Sequence, residues 1–192
     1  MVRVTLCAIA IATVAVIVGC GGQTNESVSP AIEKLDMPGI VNFSRVRGLT
    51  GFAGSPVGFG GATKPVAMPA LKSAGFAAVI NLRLATEEGT DLDGSRAAAA
   101  AAGLNYVHLP FDGKNLDTAL VGEFLSAASD TANQPVYIHC HSATRVAALW
   151  MIGRVLEDGL DIGAAAQEAE VIAAKPEAAV AVATGYISSR MK

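Results

Sequence analysis

The stretch Val136-Tyr137-Ile138-His139-Cys140-His141-Ser142-Ala143-Thr144-Arg145-Val146 decides the reading of this chain. An apolar strand pattern, Pro135 to His139, runs into Cys140. A short polar loop follows, and Thr144 to Leu156 reads as a long apolar helix. In an α/β sheet, ligands gather at the carboxyl ends of the strands. A loop that wraps there and feeds a helix N-terminus aims backbone N–H groups and the positive end of the helix dipole at one point. Arg145 adds a bidentate fork suited to a tetrahedral oxyanion. The same field favours a thiolate at Cys140, because helix N-termini and cationic neighbours lower a cysteine pKa from about 8.5 to roughly 3.5–7.5. His139 and His141 flank the cysteine, placed to orient or acidify it. The loop thus supplies both a nucleophile and a cradle for the oxyanion that it attacks.

Outward from this loop the chain alternates strand and helix patterns. Ile40 to Val46 reads as a first strand and Gly48 to Gly61, glycine-dense with Pro56, as a loop. Val66 to Ala74 reads as a short helix closed by Gly75. Ala77 to Arg83 is a buried-strand pattern, Thr86 to Gly94 a polar loop, and Ser95 to Ala102 an alanine-rich helix stopped by Gly103. Tyr106 to Leu109 is a strand stopped by Pro110. Leu116 to Ser129 is a helix capped by Asn115 or Asp117. Two more helices are expected at Gly163 to Ala174 and Glu177 to Ser188. The pattern predicts an α/β domain with a central, mainly parallel sheet flanked by helices. His108 within its strand and Trp150 among apolar helix residues read as structural.

The chain has 192 residues, of which 52% are apolar and 16% charged, with a net charge of −3. One domain is expected at that length. Too few charges and too many apolar residues exclude a disordered chain. The acidic balance argues against a nucleic-acid surface, which needs excess Lys and Arg. No spacing of His, Cys, Asp and Glu suits a metal, so no metal is expected. Neither a phosphate-cradling G-x-x-x-x-G-K-[ST] nor a Rossmann glycine fingerprint occurs, so no cofactor is expected either.

The N-terminus reads as a targeting segment. Arg3 precedes an apolar run, Val4 to Val18, of signal-peptide length. The tetrad Ile17-Val18-Gly19-Cys20 resembles the bacterial lipobox, and that resemblance implies cleavage before Cys20 and its lipidation. The expected organisation is a signal peptide over 1–19, a flexible tether over 20–38 and an α/β domain over 39–192. Acyl chains on Cys20 would hold the chain to a membrane surface as an exported cell-envelope lipoprotein. Cys7 is then lost and Cys20 acylated, which leaves Cys140 as the lone thiol in an oxidising compartment.

His139-Cys140-x-x-x-x-Arg145 resembles the signature loop of the cysteine-dependent protein tyrosine and dual-specificity phosphatases. The closer resemblance is to the phosphatase-like domain of beta-lactamase hydrolase-like proteins, which shares the four-residue spacer. It extends through Gly75-Phe76-x-x-Val79-Ile80-Asn81-Leu82-Arg83 and Gly103-Leu104-x-Tyr106-Val107-His108-Leu109-Pro110 to Ala147-Ala148-Leu149-Trp150. It implies a dual-specificity-phosphatase-like fold and hydrolysis of a phosphorylated protein or small molecule through a cysteinyl-phosphate. Cys140 would be the nucleophile; His141, Ser142, Ala143, Thr144 and Arg145 would bind phosphate. By the same resemblance Asp112 is the expected general acid, with Asp117 as the alternative, and Glu87 or Glu88 would hold the fork of Arg145. The sequence departs from the family at Ala143, where glycine is usual, and at Val146, where a hydroxyl residue usually faces the sulfur. Two other readings stay open at this point: a rhodanese-like sulfurtransferase, and a catalytically weak oxyanion-binding or redox-sensing domain.

Overall fold

The computed structural model describes residues 31–49 and 51–191. The expected signal segment and Cys20 lie outside the described residues, as does the first part of the tether. Six strands form one sheet: β1 (Ile32–Lys34), β2 (Ser44–Val46), β3 (Val57–Gly60), β4 (Ala78–Asn81), β5 (Asn105–His108) and β6 (Val136–His139). Their spatial order is β1-β2-β3-β6-β4-β5. The β3, β6, β4 and β5 neighbours run parallel, while β1 and β2 add on antiparallel at one edge. The mixed, mostly parallel sheet flanked by helices is the expected fold class.

Side-chain alternation along the central strands divides the core in two. Val79 of β4 and Tyr137 of β6 face a small cluster with Met68 and Leu71 of α1 (Met68–Ser73) and Ala99 of α2 (Leu92–Ala102). Ala78, Ile80, Val136 and Ile138 face the other way. They meet the larger core under α3 (Thr118–Ser129), α4 (Thr144–Leu156), α5 (Ile162–Ile172) and α6 (Pro176–Arg190). Helix α4 is buried continuously from Val146 to Arg154, as its unbroken apolar pattern requires.

Four local expectations need correction. The glycine-dense stretch read as loop contains β3, a central strand. Gly58 and Gly60 are there because a Cβ at either would strike the Phe76 ring or the Tyr137 hydroxyl. The tether expectation over 20–38 meets a strand at Ile32–Lys34, paired to β2. The expected first strand is shorter, because Asn42 takes a positive φ of 53° and breaks the extension before Ser44. Helix α2 starts earlier than read, at Leu92, since Asp91 accepts from the Gly94 N–H at 2.8 Å and caps it. Of the two candidate caps for α3, Asp117 takes the role, accepting from the Leu120 N–H at 2.7 Å.

Candidate active site

Strand β6 delivers Cys140, fully buried, to the carboxyl end of the sheet, and α4 begins four residues later. The connecting loop is pinned from outside. The Cys140 N–H donates to the Gly60 carbonyl at 3.2 Å, and the Ala62 N–H donates to the His141 carbonyl at 2.8 Å. Gly61 bridges Ser142, and a Cβ on Gly61 would lie 2.9 Å from the His141 carbonyl oxygen, so only glycine permits this approach. The Ser142 carbonyl accepts from the Ala174 N–H at 3.2 Å. The Thr144 hydroxyl accepts from the Lys175 N–H at 3.2 Å. In a planar trans peptide the N–H points opposite to the carbonyl of the preceding residue. Anchoring the His141 carbonyl to the framework therefore turns the Ser142 N–H away from it. Among the described residues, no protein acceptor meets the N–H groups of His141, Ser142, Thr144 or Arg145. Those of Thr144 and Arg145 belong to the first turn of α4, whose amides have no intrahelical partner.

Ala143 holds the tightest bend, at φ 64° and ψ 0°, with its methyl group buried. This is the left-handed region that the usual glycine occupies without penalty. In alanine it costs roughly 1–2 kcal/mol. The family departure noted in the sequence is thus accommodated with the loop shape kept. Val146 is buried in the core and brings no hydroxyl.

Arg145 is mostly buried, and its guanidinium is held in a defined plane. Nη1 and Nη2 donate to the two carboxylate oxygens of Glu87 at 2.6 and 2.9 Å. Nη1 also donates to the carbonyls of Leu82 at 3.2 Å and Phe111 at 2.5 Å. A guanidinium carries five N–H groups in a fixed fork. Counting them leaves Nε–H and one Nη2–H unclaimed by these partners, and Cys140 lies against this side chain. Burial works against the charge on Arg145. The Glu87 carboxylate and the Cys140 sulfur outweigh it and hold the pKa above the ordinary arginine value. Glu87 is itself partly desolvated, which favours its neutral form. Hydrogen bonds from Arg145, the Leu84 N–H and Arg83 overcome this and bring its pKa down to about 2. Glu88, the other expected partner, gives its carbonyl to Arg83.

His139 is buried directly beneath the loop and stacks on Tyr137 at 5.7 Å between ring centroids. Neither ring nitrogen completes a hydrogen bond. Burial pushes its pKa down to about 4, opposed by nearby backbone of Cys140 and Gly61. His141 is exposed at the loop's rim. It borders a cavity of about 390 Å³ also lined by Ile40, Val41, Ala62, Lys64 and Arg83.

Asp112 lies in a separate cavity of about 470 Å³ shared with His108, Phe111 and Asp117. Its loop packs onto Arg145, since a Cβ at Gly113 would sit 3.3 Å from the arginine Cγ. The Asp112 carboxylate, however, closes its own turn. It accepts from the Lys114 and Asn115 N–H groups at 2.7 and 3.1 Å and from Asn115 Nδ2 at 3.1 Å. Those backbone hydrogen bonds lower its pKa. His108 is engaged structurally, its Nε2 lying 2.8 Å from the Arg83 carbonyl. Trp150 is core, bonded through Nε1 to Glu168 at 2.8 Å. Among the described residues, no group of three His, Cys, Asp or Glu side chains is arranged to hold a metal ion.

Arg83 carried no role in the sequence reading, yet the structure buries its guanidinium against the turn that carries Glu87. Its signal was a charged residue closing a strand pattern that is apolar but for Asn81.

A signature loop of this shape on a mostly parallel α/β sheet defines the cysteine-phosphatase class of fold. The chain belongs to the family described as beta-lactamase hydrolase-like protein, phosphatase-like domain, whose profile matches residues 61–157, half of the chain. A beta-lactamase hydrolase-like protein of Agrobacterium fabrum is 32% identical over 91 residues, covering 46% of this chain and 21% of that relative. The chain therefore spans about a fifth of that relative's length. Among solved structures, a DUF442 protein from Shewanella putrefaciens CN-32 superposes with a TM-score of 0.57 at 20% identity, over 77% of this chain and 92% of that one. The core catalytic domain of the PP-IP phosphatase SIW14 of S. cerevisiae gives a TM-score of 0.57 at 15% identity, over 83% and 96%. P. aeruginosa TpbA, solved in complex with phosphotyrosine as a variant, gives a TM-score of 0.53 at 18% identity, over 77% and 79%. These likenesses establish the fold.

Proposed function

We propose that the chain is a cysteine-dependent phosphatase acting on phosphate monoesters. The observation that carries this is the clamped Arg145: a guanidinium fixed by Glu87 with two N–H groups left over, lying against a buried cysteine at the head of α4. The Cys140 thiolate attacks phosphorus as the bond to the leaving oxygen breaks. The free edge of Arg145 and the N–H groups of His141, Ser142, Thr144 and Arg145 hold the three equatorial oxygens. Water then cleaves the sulfur–phosphorus bond, releasing inorganic phosphate and restoring the thiolate. Asp112 is assigned as the acid that protonates the leaving oxygen, because its loop rests on Arg145. In the resting geometry its carboxylate is tied into its own turn and its pKa is lowered, so little of it is protonated at neutral pH. The enzyme should therefore favour aryl phosphates, whose leaving groups depart without a proton, and alkyl phosphates should react faster as pH falls.

The test uses purified, reduced protein with an aryl phosphate at pH 5–8. Turnover that vanadate inhibits, and that Cys140→Ser abolishes, is expected. Absence of turnover over that range would overturn the reading. The lipobox resemblance of residues 17–20 supports a second assignment: an exported protein acylated at Cys20. Detergent partitioning of the full chain against Cys20→Ser tests it, and an unchanged distribution would refute it.

A further inference from the structure

We propose that Arg83 is a positioning residue whose task is to set the plane of the Arg145 guanidinium through Glu87; this rests on the phosphatase reading of the loop. Arg83 lies two residues beyond β4 with its side chain buried, 3% exposed. Its three nitrogens each take a different partner in the turn that follows. Nε donates to Glu87 Oε2 at 3.3 Å, Nη1 to the Gly89 carbonyl at 3.2 Å and Nη2 to the Glu88 carbonyl at 2.5 Å. The backbone of Arg83 is equally fixed. Its N–H donates to Asn81 Oδ1 at 2.8 Å, and its carbonyl lies 2.8 Å from His108 Nε2. Residues 84–90 are thus folded around one guanidinium.

The consequence is geometric. Glu87 sits between two guanidiniums, and its Oε1 also accepts from the Leu84 N–H at 2.8 Å. A carboxylate on an exposed turn ordinarily rotates among several rotamers. Here both oxygens are claimed from below by Arg83 and Leu84 and face outward to Arg145. The Arg145 plane is then not free to tilt, and the unclaimed Nε and Nη2 hydrogens keep one direction. An oxyanion site depends on donors being in place before the charge arrives. Misplacement by about 1 Å can cost about 100-fold. Lysine cannot substitute fully, because one ammonium cannot present a planar fork to three separate acceptors.

The test measures affinity for a non-hydrolysable oxyanion, tungstate, by calorimetry, together with kcat and KM for an aryl phosphate. Wild type, Arg83→Leu, Arg83→Lys, Glu87→Gln and the double variant Arg83→Leu/Glu87→Gln are compared. Arg83→Leu should bind tungstate at least about tenfold more weakly and lose kcat. Arg83→Lys should recover part of both. The double variant should be little worse than Glu87→Gln alone, because Arg83 acts only through that carboxylate. Losses that multiply in the double variant would overturn the proposal, as would tungstate affinity unchanged in Arg83→Lys and Arg83→Leu. Should Arg83→Leu fail to fold, Arg83→Lys with its melting curve carries the decision: weakened binding at an unchanged melting temperature supports the proposal, and unchanged binding refutes it. Wild-type protein that binds tungstate without turning over substrate would sink the phosphatase reading, an outcome distinct from tungstate affinities that do not respond to Arg83.

Discussion

Helix α4 carries an arginine near each end, Arg154 buried and Arg145 mostly buried, and the two are treated differently. At the far end each of the three nitrogens of Arg154 has a carboxylate partner, whereas Nε of Arg145 has none among the described residues. Nε and Nη2 of Arg154 donate to Glu168 at 3.0 and 3.2 Å, its Nη1 donates to Asp158 at 2.5 Å, and its face lies 5.7 Å from the Trp150 ring centroid. The carboxylates are engaged further, Glu168 by the Trp150 indole and Asp158 by the Phe52 N–H at 2.8 Å. At the near end Arg145 has a carboxylate of its own but keeps an edge unused, beside a histidine with no hydrogen bond and amides with no acceptor. Buried polar groups are normally satisfied, and an unsatisfied one needs a reason. The contrast within one helix separates architecture from a site waiting for a ligand.

The largest expected effect is at the Arg154 end. Glu168→Ala strips the partner from a buried guanidinium and from the indole N–H. Breaking a buried pair from one side costs about 3–5 kcal/mol. Urea unfolding should show that loss, while the folded fraction keeps its KM and its tungstate affinity. A comparable fall in oxyanion affinity would break the comparison, since Arg154 would then also serve the loop.

Next is the orphan histidine. In the folded chain the His139 pKa is pushed down to about 4 by burial, against an ordinary 6.5. A depressed pKa means that the unfolded chain takes up the proton first. Stability is therefore full above pH 6.5 and is lost as pH falls toward 4, by on the order of 3 kcal/mol. Melting temperatures measured from pH 7 to pH 4 should drop in wild type and drop less in His139→Leu. Parallel curves for the two proteins would show that His139 is not the group that senses acid. Below this range Glu87, held down to about 2 from an ordinary 4.5, adds a second loss between those values as it is protonated.

At the open end itself, Glu87→Gln keeps the shape but removes the charge and one acceptor pair. The free edge of Arg145 should then wander. Oxyanion affinity and kcat/KM are expected to fall about 10–100-fold, with a smaller change in the urea midpoint than Glu168→Ala produces. Steady-state kinetics beside unfolding curves would check this. A stability loss as large as that of Glu168→Ala with unchanged kinetics would make Glu87 merely architectural.

How far this contrast was legible in the sequence depends on how local it is. Cys140, Arg145 and the loop between them lie in one short stretch, and a strand pattern, a break and a helix pattern are readable there without long-range knowledge. The Glu87 partnership joins positions far apart in the chain, and only a family resemblance suggested it. Arg83 was invisible as a positioning group because its partners are carbonyls of a turn, which any sequence supplies. The same holds for Arg154 and Glu168: nothing local pairs them. β3 was misread because Gly58 and Gly60 look like loop residues, whereas their missing side chains make room for Phe76 and Tyr137. Asp112-Gly113 reads equally well as a turn or as a catalytic aspartate, and the resting geometry shows the turn.

The smallest effect tests how much strain the open end tolerates. Ala143 sits at φ 64°, so glycine there would relieve the left-handed penalty of roughly 1–2 kcal/mol. The same change removes a fully buried methyl group, worth about 0.8 kcal/mol by transfer, and lets the unfolded chain roam more widely. These terms oppose and nearly cancel. Ala143→Gly should therefore shift the unfolding midpoint by less than about 1 kcal/mol. Tungstate affinity should stay within a few-fold, because the outward anchors at Gly60, Ala62 and Ala174 hold the loop whichever residue bends it. A large gain in affinity or turnover with glycine would show that those anchors do not dictate the cradle, and that alanine distorts it. Slow turnover of alkyl phosphates would then trace to one methyl group rather than to the tied-up Asp112.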